Sequence, residues 1–302
     1  MSVKVIINNT LLKEEKSSLL CQKGLWLYSR CEVCGTEYLH HTSCNREDCL
    51  VCGKEGSYAH LRRYTRGLKR VFWMYEKGKI GYLVITFPIE KREELKEKQN
   101  LKKTEKYIIG LLKREIKGII GITRWHWAGD KSKKWHPHLN ILFTAGYIEE
   151  KRLERIKKLI EKKLKSKVIY YKYSEKIKKV LHWWRYITRP TFLLQSEVNF
   201  EKIRGLKNVV YFGNWKGYKE YCKNLGKMDR KEWLKYVKQL FNSGYFEKNL
   251  KFMNLFIVIH KRCVLCLERV KYKVLKGWNE VLDKRRMLEI GYGYYVLERV
   301  VE

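Results

Sequence analysis

The chain has 302 residues, and its 66 Lys and Arg against 32 Asp and Glu give a formal net charge of +34. A soluble protein does not need this excess to stay in solution, and a polyanionic partner, most commonly a nucleic acid, explains it. No stretch approaches the roughly 20 apolar residues of a membrane span, and residues 1–16 lack a signal-peptide core. A membrane surface is the rival partner, but no long amphipathic basic helix stands out. We therefore expect a cytoplasmic protein that binds a nucleic acid and does not contact a membrane.

The first segment is rich in cysteine: residues 21–60 hold six of the nine. In a reducing compartment this number indicates metal binding rather than disulfides. Two CxxC pairs about 15 residues apart are typical of a structural zinc site, because each pair offers two thiolates from one tight turn. The expected ligands are Cys31, Cys34, Cys49 and Cys52, with Cys44, His40 or His41 as substitutes.

A third CxxC pair, Cys263 and Cys266, lies far along the chain. His260 and Cys222 are candidate partners for it. A second metal site there is a weaker hypothesis than the first, because no spacing in the sequence defines its remaining ligands.

From residue 58 the spacing of apolar residues predicts a regular series of elements. They are a helix over 58–76, a strand over 82–87, a helix over 99–117, strands over 119–127 and 135–143, a helix over 149–165, a strand over 168–173 and a helix over 174–188. A polar turn separates the second and third of these strands, so they should pair as a hairpin.

The order β-α-β-β-α-β-α predicts an α+β protein with a ferredoxin-like split βαβ core, whose antiparallel sheet carries helices on one face. The other face is then free to carry a site. The expected organisation is a zinc-binding segment over 1–60, a basic linking helix over 61–80, the core over 81–200 and an additional C-terminal module over 201–302. In that module, residues 230–241 have helical spacing and residues 254–260 form an apolar, strand-like run.

Residues 135–143 carry the strongest chemical signal. Alternate residues of a strand share a face, so His136, His138 and Asn140 should project together. Imidazole and amide groups can hold a divalent cation, and His126 on the neighbouring strand is a candidate further ligand. The alternative is that these histidines make ordinary structural hydrogen bonds. In a chain with a polyanionic partner, such a cation would act on a phosphodiester.

The helix over 174–188 places Tyr186 on a broad basic side. The basic residues there are Lys178, Lys179, His182, Arg185 and Arg189. A tyrosine in a helix is usually a buried aromatic, but other residues of this helix already supply apolar cover. Tyr186 can instead face phosphate, because neighbouring cations favour the phenolate and a covalent phosphotyrosine conserves the energy of the broken bond for rejoining.

Three segments resemble, in order, the motifs of the HUH endonuclease superfamily, which comprises rolling-circle replication initiators of plasmids and viruses and the related transposases. The segments are YLVITFP (82–88), HPHLNILF (136–143) and RYITRP (185–190). The upstream CEVCG and SCNREDCLVC segments resemble the cysteine finger that precedes some of these enzymes. The resemblance covers about residues 31–190.

The resemblance implies a site-specific enzyme that nicks and joins one DNA strand at a single-stranded or locally melted origin. Tyr186 would become linked to the 5′ end and free a 3′-OH for the host replication machinery. A catalytic Mg²⁺ or Mn²⁺ would be held by His138 and Asn140, with His136 and His126, while Zn²⁺ would be structural. The basic residues around Tyr186 would bind the DNA.

The chain departs from the family pattern in two places. The family has His-hydrophobic-His, whereas the best register here is His138-Leu139-Asn140; alternatively, His136 and His138 both bind. Many members carry two tyrosines one helical turn apart, but the residues three and four before Tyr186 are Trp and His. This resembles the single-tyrosine class of initiators. A rolling-circle transposase and a non-catalytic, zinc-containing DNA-binding regulator remain alternatives.

Overall fold

The structure is a computed structural model. It describes residues 26–41, 58–128, 134–144, 147–166, 168–189, 206–242, 254, 256–258, 260–268, 270–273, 285–291 and 294–299. The chain divides into two compact units. Residues 67–222 form the first, which we call the central unit, and residues 1–66 with 223–302 form the second, the flanking unit. Within the described residues, no helix combines the length and the apolar character needed to cross a bilayer.

Ten strands and seven helices are described. The strands are β1 (Trp26–Cys31), β2 (Glu37–His41), β3 (Ile80–Thr86), β4 (Ile120–Ala128), β5 (Trp135–Thr144), β6 (Val168–Ser174), β7 (Val209–Gly213), β8 (Val270–Lys273), β9 (Arg285–Gly291) and β10 (Tyr294–Arg299). The helices are α1 (Tyr58–Lys77), α2 (Ile89–Glu94), α3 (Lys98–Glu115), α4 (Glu150–Leu164), α5 (Ile177–Thr188), α6 (Tyr218–Lys227) and α7 (Arg230–Asn242).

The central unit is built on a five-stranded antiparallel sheet with the order β6-β3-β5-β4-β7. The predicted hairpin of β4 and β5 is confirmed, with Ile120 opposite Thr144 and His126 opposite His138. Strand β7 pairs with β4 at the edge of this sheet. The predicted boundary at residue 200 is therefore corrected, because residues 209–213 complete the central sheet rather than belonging to a separate module.

One face of the central sheet packs against α3 and α4. Leu139, Ile141 and Phe143 of β5 lie in this core, as their alternation predicted, together with Leu101 of α3 and Ile156 of α4. Both helices are amphipathic, so one side of each covers the sheet while most of their Lys residues face solvent.

Helix α5 packs on the opposite face of the sheet. Its Trp183 stacks on Tyr82 of β3 with ring centroids 5.5 Å apart, and its Ile187 carbonyl contacts His126 of β4. The prediction of helices on one face only is therefore wrong. The reason is that α5 carries its own apolar stripe, including Val180 and Trp184, which is buried only if the helix covers the second face.

The flanking unit contains the second five-stranded sheet, with the order β8-β1-β2-β10-β9. In this sheet β1 and β2, which precede residue 67, lie between strands that follow residue 222: β1 pairs with β8, and β2 with β10. The predicted separate modules over 1–60 and 201–302 are thus replaced by one shared sheet. The strand predicted over 254–260 is also wrong, since its described residues 254 and 256–258 are helical. There Phe256 stacks on Trp233 of α7.

Candidate functional site

Three histidines meet on the α5 side of the central sheet. His126 and His138 are directly opposite each other on β4 and β5, and their ring centroids are 5.1 Å apart. The ring of His136 lies 5.8 Å from that of His138. His126 and His138 are buried, whereas His136 is half-buried. The predicted alternation therefore places all three imidazoles on one face.

Backbone hydrogen bonds define which ring nitrogen of each buried histidine carries the proton. His126 Nε2 lies 3.0 Å from the carbonyl oxygen of Ile187, and His138 Nδ1 lies 3.0 Å from that of His136. A carbonyl oxygen only accepts, so both nitrogens must donate an N–H. The remaining nitrogens, Nδ1 of His126 and Nε2 of His138, therefore keep the lone pair that a metal needs. Metal-binding histidines commonly have this backbone support.

Burial also keeps His126 neutral. Loss of solvent lowers the pKa of His126 well below 6.5, and any positive charge on the neighbouring His138 would lower it further. The neutral imidazole is the form that can coordinate a cation. At neutral pH, His126 can therefore donate the lone pair of its Nδ1 to a metal ion.

Helix α5 brings Tyr186 to these histidines. The Tyr186 ring centroid lies 5.3 Å from that of His126, and the Arg189 guanidinium carbon lies 4.1 Å from the Tyr186 ring centroid. Tyr186 is partly exposed, so its ring is accessible from solvent. The other predicted basic residues of this helix, Lys178, Lys179, His182 and Arg185, are exposed.

Asn140 lies on the same face but is tied to a neighbour. Its side chain is fully buried, and its Oδ1 accepts a hydrogen bond from the Tyr82 hydroxyl over 2.6 Å. Its Nδ2 has no hydrogen-bond partner in the described part of the chain. Rotating the amide by half a turn exchanges these two atoms. The role of Asn140 as a ligand stays a prediction.

The sequence interpretation missed two residues of this site. Arg124 is opposite Asn140 on β4 and is 2% exposed. The signal available in the sequence was a charged residue on the same strand face as His126, in a strand of mostly apolar residues. Tyr82 gave no such signal, because it lies in a run that is typical of an ordinary core strand.

The flanking unit contains a second constellation, the cysteine cluster. It consists of Cys31, Cys34, Cys263 and Cys266, whose sulfur atoms all lie within 4.8 Å of one another. Such a group can hold a metal ion. Among the described residues it is the one group of at least three His, Cys, Asp or Glu ligand atoms this close together. The three histidines of the central unit are spaced more widely.

This grouping differs from the predicted one. Cys31 and Cys34 were expected to pair with Cys49 and Cys52, which lie outside the described residues, as does Cys44. Of the remaining candidates, His40 and His41 belong to β2, Cys222 belongs to α6, and His260 has its Nδ1 at hydrogen-bond distance from the Phe256 carbonyl. The pairing of the first and third CxxC motifs had no signal in the sequence, because ligand spacing constrains only the two thiols within one motif.

Both constellations come from residues whose positions are defined by strand register or by tight turns. Comparison of the chain with protein families, with curated proteins and with solved structures finds no match. The geometry of these residues is therefore the basis on which a function is assigned.

Proposed function

We propose that the central unit is a metal-dependent enzyme that nicks and joins single-stranded DNA with Tyr186 as its nucleophile, and that it initiates rolling-circle replication. One observation carries the proposal. The Tyr186 ring lies 5.3 Å from His126, and His126 directly opposes His138 across the β4–β5 pair. A phenol beside paired imidazoles, in a chain of net charge +34, suits attack on a phosphodiester.

The topology of the central unit supports this proposal. Its first four strands in chain order, β3 to β6, lie in the spatial order fourth, first, third, second. This is the order of a ferredoxin-like split βαβ sheet, to which β7 adds an edge strand. This order agrees with the split βαβ core expected from the element order of the sequence, which is the core to which the proposal assigns the nicking activity.

The chemistry of the donor set suits a divalent cation. His126 Nδ1 and His138 Nε2 keep their lone pairs, and His136 and Asn140 lie beside them. Imidazole nitrogens suit transition metals better than Mg²⁺, which prefers oxygen ligands. We therefore infer that Mn²⁺ binds here more readily than Mg²⁺. A bound cation would polarise the scissile phosphate.

The protein's own residues account for the transfer step. The Tyr186 oxygen forms a bond to phosphorus, the bond from phosphorus to the 3′ oxygen breaks, and that oxygen leaves as a 3′-OH with the phenol proton. The 5′ end stays on the protein as a phosphotyrosine, and attack by a 3′-OH reverses the step. Arg189 lies over the ring of Tyr186. His126 anchors the helix through Ile187, the residue after the nucleophile.

The single tyrosine favours an initiator over a two-tyrosine transposase. One helical turn before Tyr186, Trp183 is buried against Tyr82 and His182 is exposed. Neither side chain offers a second phenol. The exposed Lys178, Lys179 and Arg185 on the same helix are suited to the phosphate backbone of the substrate.

The test is a covalent-adduct assay with Mn²⁺. Single-stranded oligonucleotides that tile the coding sequence and its flanks are labelled at the 3′ end, because the proposed adduct retains the 3′ part of the strand. Labelled protein on a denaturing gel is the expected result. Tyr186→Phe should lose the adduct and still bind DNA. Tyr147→Phe, which alters an exposed tyrosine outside the site, is the matched control and should retain it.

Two outcomes would contradict the proposal. A robust adduct on the Tyr186→Phe protein would reject Tyr186 as the nucleophile. Retention of DNA by the wild-type protein without any adduct or cleavage would favour a non-catalytic DNA-binding regulator instead.

A further inference from the structure

The two CxxC motifs of the cysteine cluster have the same backbone conformation. In the first, Cys31 N–H donates to the Thr36 carbonyl over 2.8 Å, and Gly35 N–H donates to the Cys31 carbonyl over 3.0 Å. In the second, Cys263 N–H donates to the carbonyl of Glu268, and Leu267 N–H donates to that of Cys263. The donor and acceptor positions relative to the first cysteine are the same in both motifs.

The equivalence extends to the residue that follows each second cysteine. Gly35 has φ +73° and Leu267 has φ +62°, both in the left-handed region. Glycine adopts this region freely, whereas leucine adopts it only under constraint from its surroundings. A leucine held in the glycine conformation indicates that the second turn is shaped to present its two sulfurs.

The sulfur positions fit a tetrahedral metal. Cys31 Sγ and Cys266 Sγ are 3.5 Å apart, Cys34 Sγ and Cys263 Sγ are 3.4 Å apart, and no pair exceeds 4.8 Å. A tetrahedral zinc with bonds of about 2.3 Å needs sulfurs about 3.8 Å apart. A disulfide needs about 2.05 Å, so the observed spacing is that of a shared ion rather than of covalent pairs.

A buried tyrosine of β2, Tyr38, forms hydrogen bonds at the cysteine cluster. The Tyr38 hydroxyl accepts a hydrogen bond from the Val264 N–H at 3.0 Å, and its own proton can then be donated to Cys263 Sγ at 2.8 Å. Tyr38 is 1% exposed. A donor fixed on a ligand sulfur is typical of a metal site's surroundings. Here the donor, Tyr38, precedes the central unit in sequence, whereas Cys263 follows it.

We propose that Cys31, Cys34, Cys263 and Cys266 bind one structural Zn²⁺ that joins the two parts of the flanking unit, which residues 67–222 separate in sequence. Four thiolates complete the coordination, which leaves no open position for catalysis. In sequence, Cys34 and Cys263 are 229 residues apart, and Cys31 and Cys266 are 235 residues apart. This inference does not depend on the nicking activity proposed above.

The first test measures zinc content by mass spectrometry on purified variants. Cys263→Ser and Cys266→Ser should each lose about one equivalent of zinc relative to the wild type, as should Cys31→Ser and Cys34→Ser. Cys222→Ser is the matched control, because Cys222 lies outside the cluster, and it should lose none. If Cys31→Ser loses zinc while Cys263→Ser and Cys266→Ser do not, the proposed ligand set is wrong.

The second test uses the wild-type protein and so does not depend on folding of the variants. Iodoacetamide labelling is followed at each cysteine by peptide mass spectrometry, with and without prior removal of zinc by a chelator. The four cysteines should be protected together and become labelled together, although Cys34 is exposed. Equal labelling of Cys34 before and after chelation, or disulfides in place of the four thiols, would overturn the proposal.

Discussion

The hydroxyl group of Tyr82 donates a hydrogen bond to Oδ1 of Asn140 over 2.6 Å, in the interior of the central unit. The two residues lie on neighbouring strands, β3 and β5, on the face that carries the histidines. This bond occupies the atom with which Asn140 would bind a cation. Asn140 should therefore contribute less to cation binding than His138 does.

We expect Asn140→Ala to weaken Mn²⁺ binding by about 10-fold, the effect of losing a supporting residue, and His138→Ala to weaken it by about 100-fold or more. The measurement is isothermal titration of Mn²⁺ into the zinc-loaded protein. Tyr82→Phe is the informative companion, since it releases the amide oxygen and should not weaken binding. Equal losses in the Asn140 and His138 variants would show that the amide is a full ligand.

Gly67 in α1 provides a test of the packing between α1 and α5. A Cβ at this position would lie 2.0 Å from Cζ2 of the buried Trp184. Gly67→Ala should therefore lower the free energy of unfolding by about 1–3 kcal/mol. Gly226→Ala, also within a helix but with nothing within 4 Å, should raise it by up to about 1 kcal/mol. Urea unfolding followed by tryptophan fluorescence measures both. An equally stable Gly67 variant would contradict the close packing.

Glu105 of α3 makes stability depend on pH. Burial raises the pKa of this carboxyl from 4.5 to about 7, although a hydrogen bond from Thr123 opposes the shift. Between these two values the folded chain binds more protons than the unfolded chain, so stability from this group falls as pH rises. At pH 8, Glu105→Gln should be more stable than the wild type by about 3 kcal/mol, and at pH 4 the two should be nearly equal.

The measurement is the unfolding free energy at both pH values. Glu161→Gln, which changes an exposed glutamate of α4, serves as the control and should change stability by less than about 0.5 kcal/mol at either pH. If Glu105→Gln is no more stable than the wild type at pH 8, burial does not raise the pKa of this carboxyl.

The hydroxyl group of Tyr38 should strengthen the proposed zinc site. Tyr38→Phe removes the donor to Cys263 Sγ and leaves the ring in place, so the affinity for zinc should fall by about 10-fold to 100-fold. Competition with a chromogenic chelator measures the affinity. Tyr28→Phe removes a hydroxyl that bonds Glu37 in the same sheet and should leave the affinity unchanged. A loss in both variants would indicate a general effect on the sheet.

Local patterns predicted much of the central unit. The hairpin of β4 and β5 and the face shared by His136 and His138 follow from alternation and a polar turn, which act over a few residues. The position of α5 did not follow from such patterns. Its apolar stripe shows that the helix is buried but not which face of the sheet buries it, and this depends on contacts with Tyr82 and His126.

Long-range pairing in the flanking unit could not be predicted for a similar reason. Cys31 and Cys34 have strong local signals, and so do Cys263 and Cys266, but no spacing relates two motifs more than 200 residues apart. The helical conformation of Phe256 is another case. Its apolar run is compatible with a strand or a buried helix, and packing against Trp233 decides between them.

The shared sheet of the flanking unit also sets the order in which the protein can fold during synthesis. The strands of the central sheet lie within residues 80–213, so this sheet can close while later residues are still being made. Strand β1, in contrast, must wait for its neighbour β8, about 240 residues later, which corresponds to roughly 10–50 s of translation. During that interval the edge of β1 that pairs with β8 has no partner strand, and an unpaired edge favours aggregation. Early binding of zinc by the thiolates of Cys31 and Cys34 would protect the nascent chain at this stage.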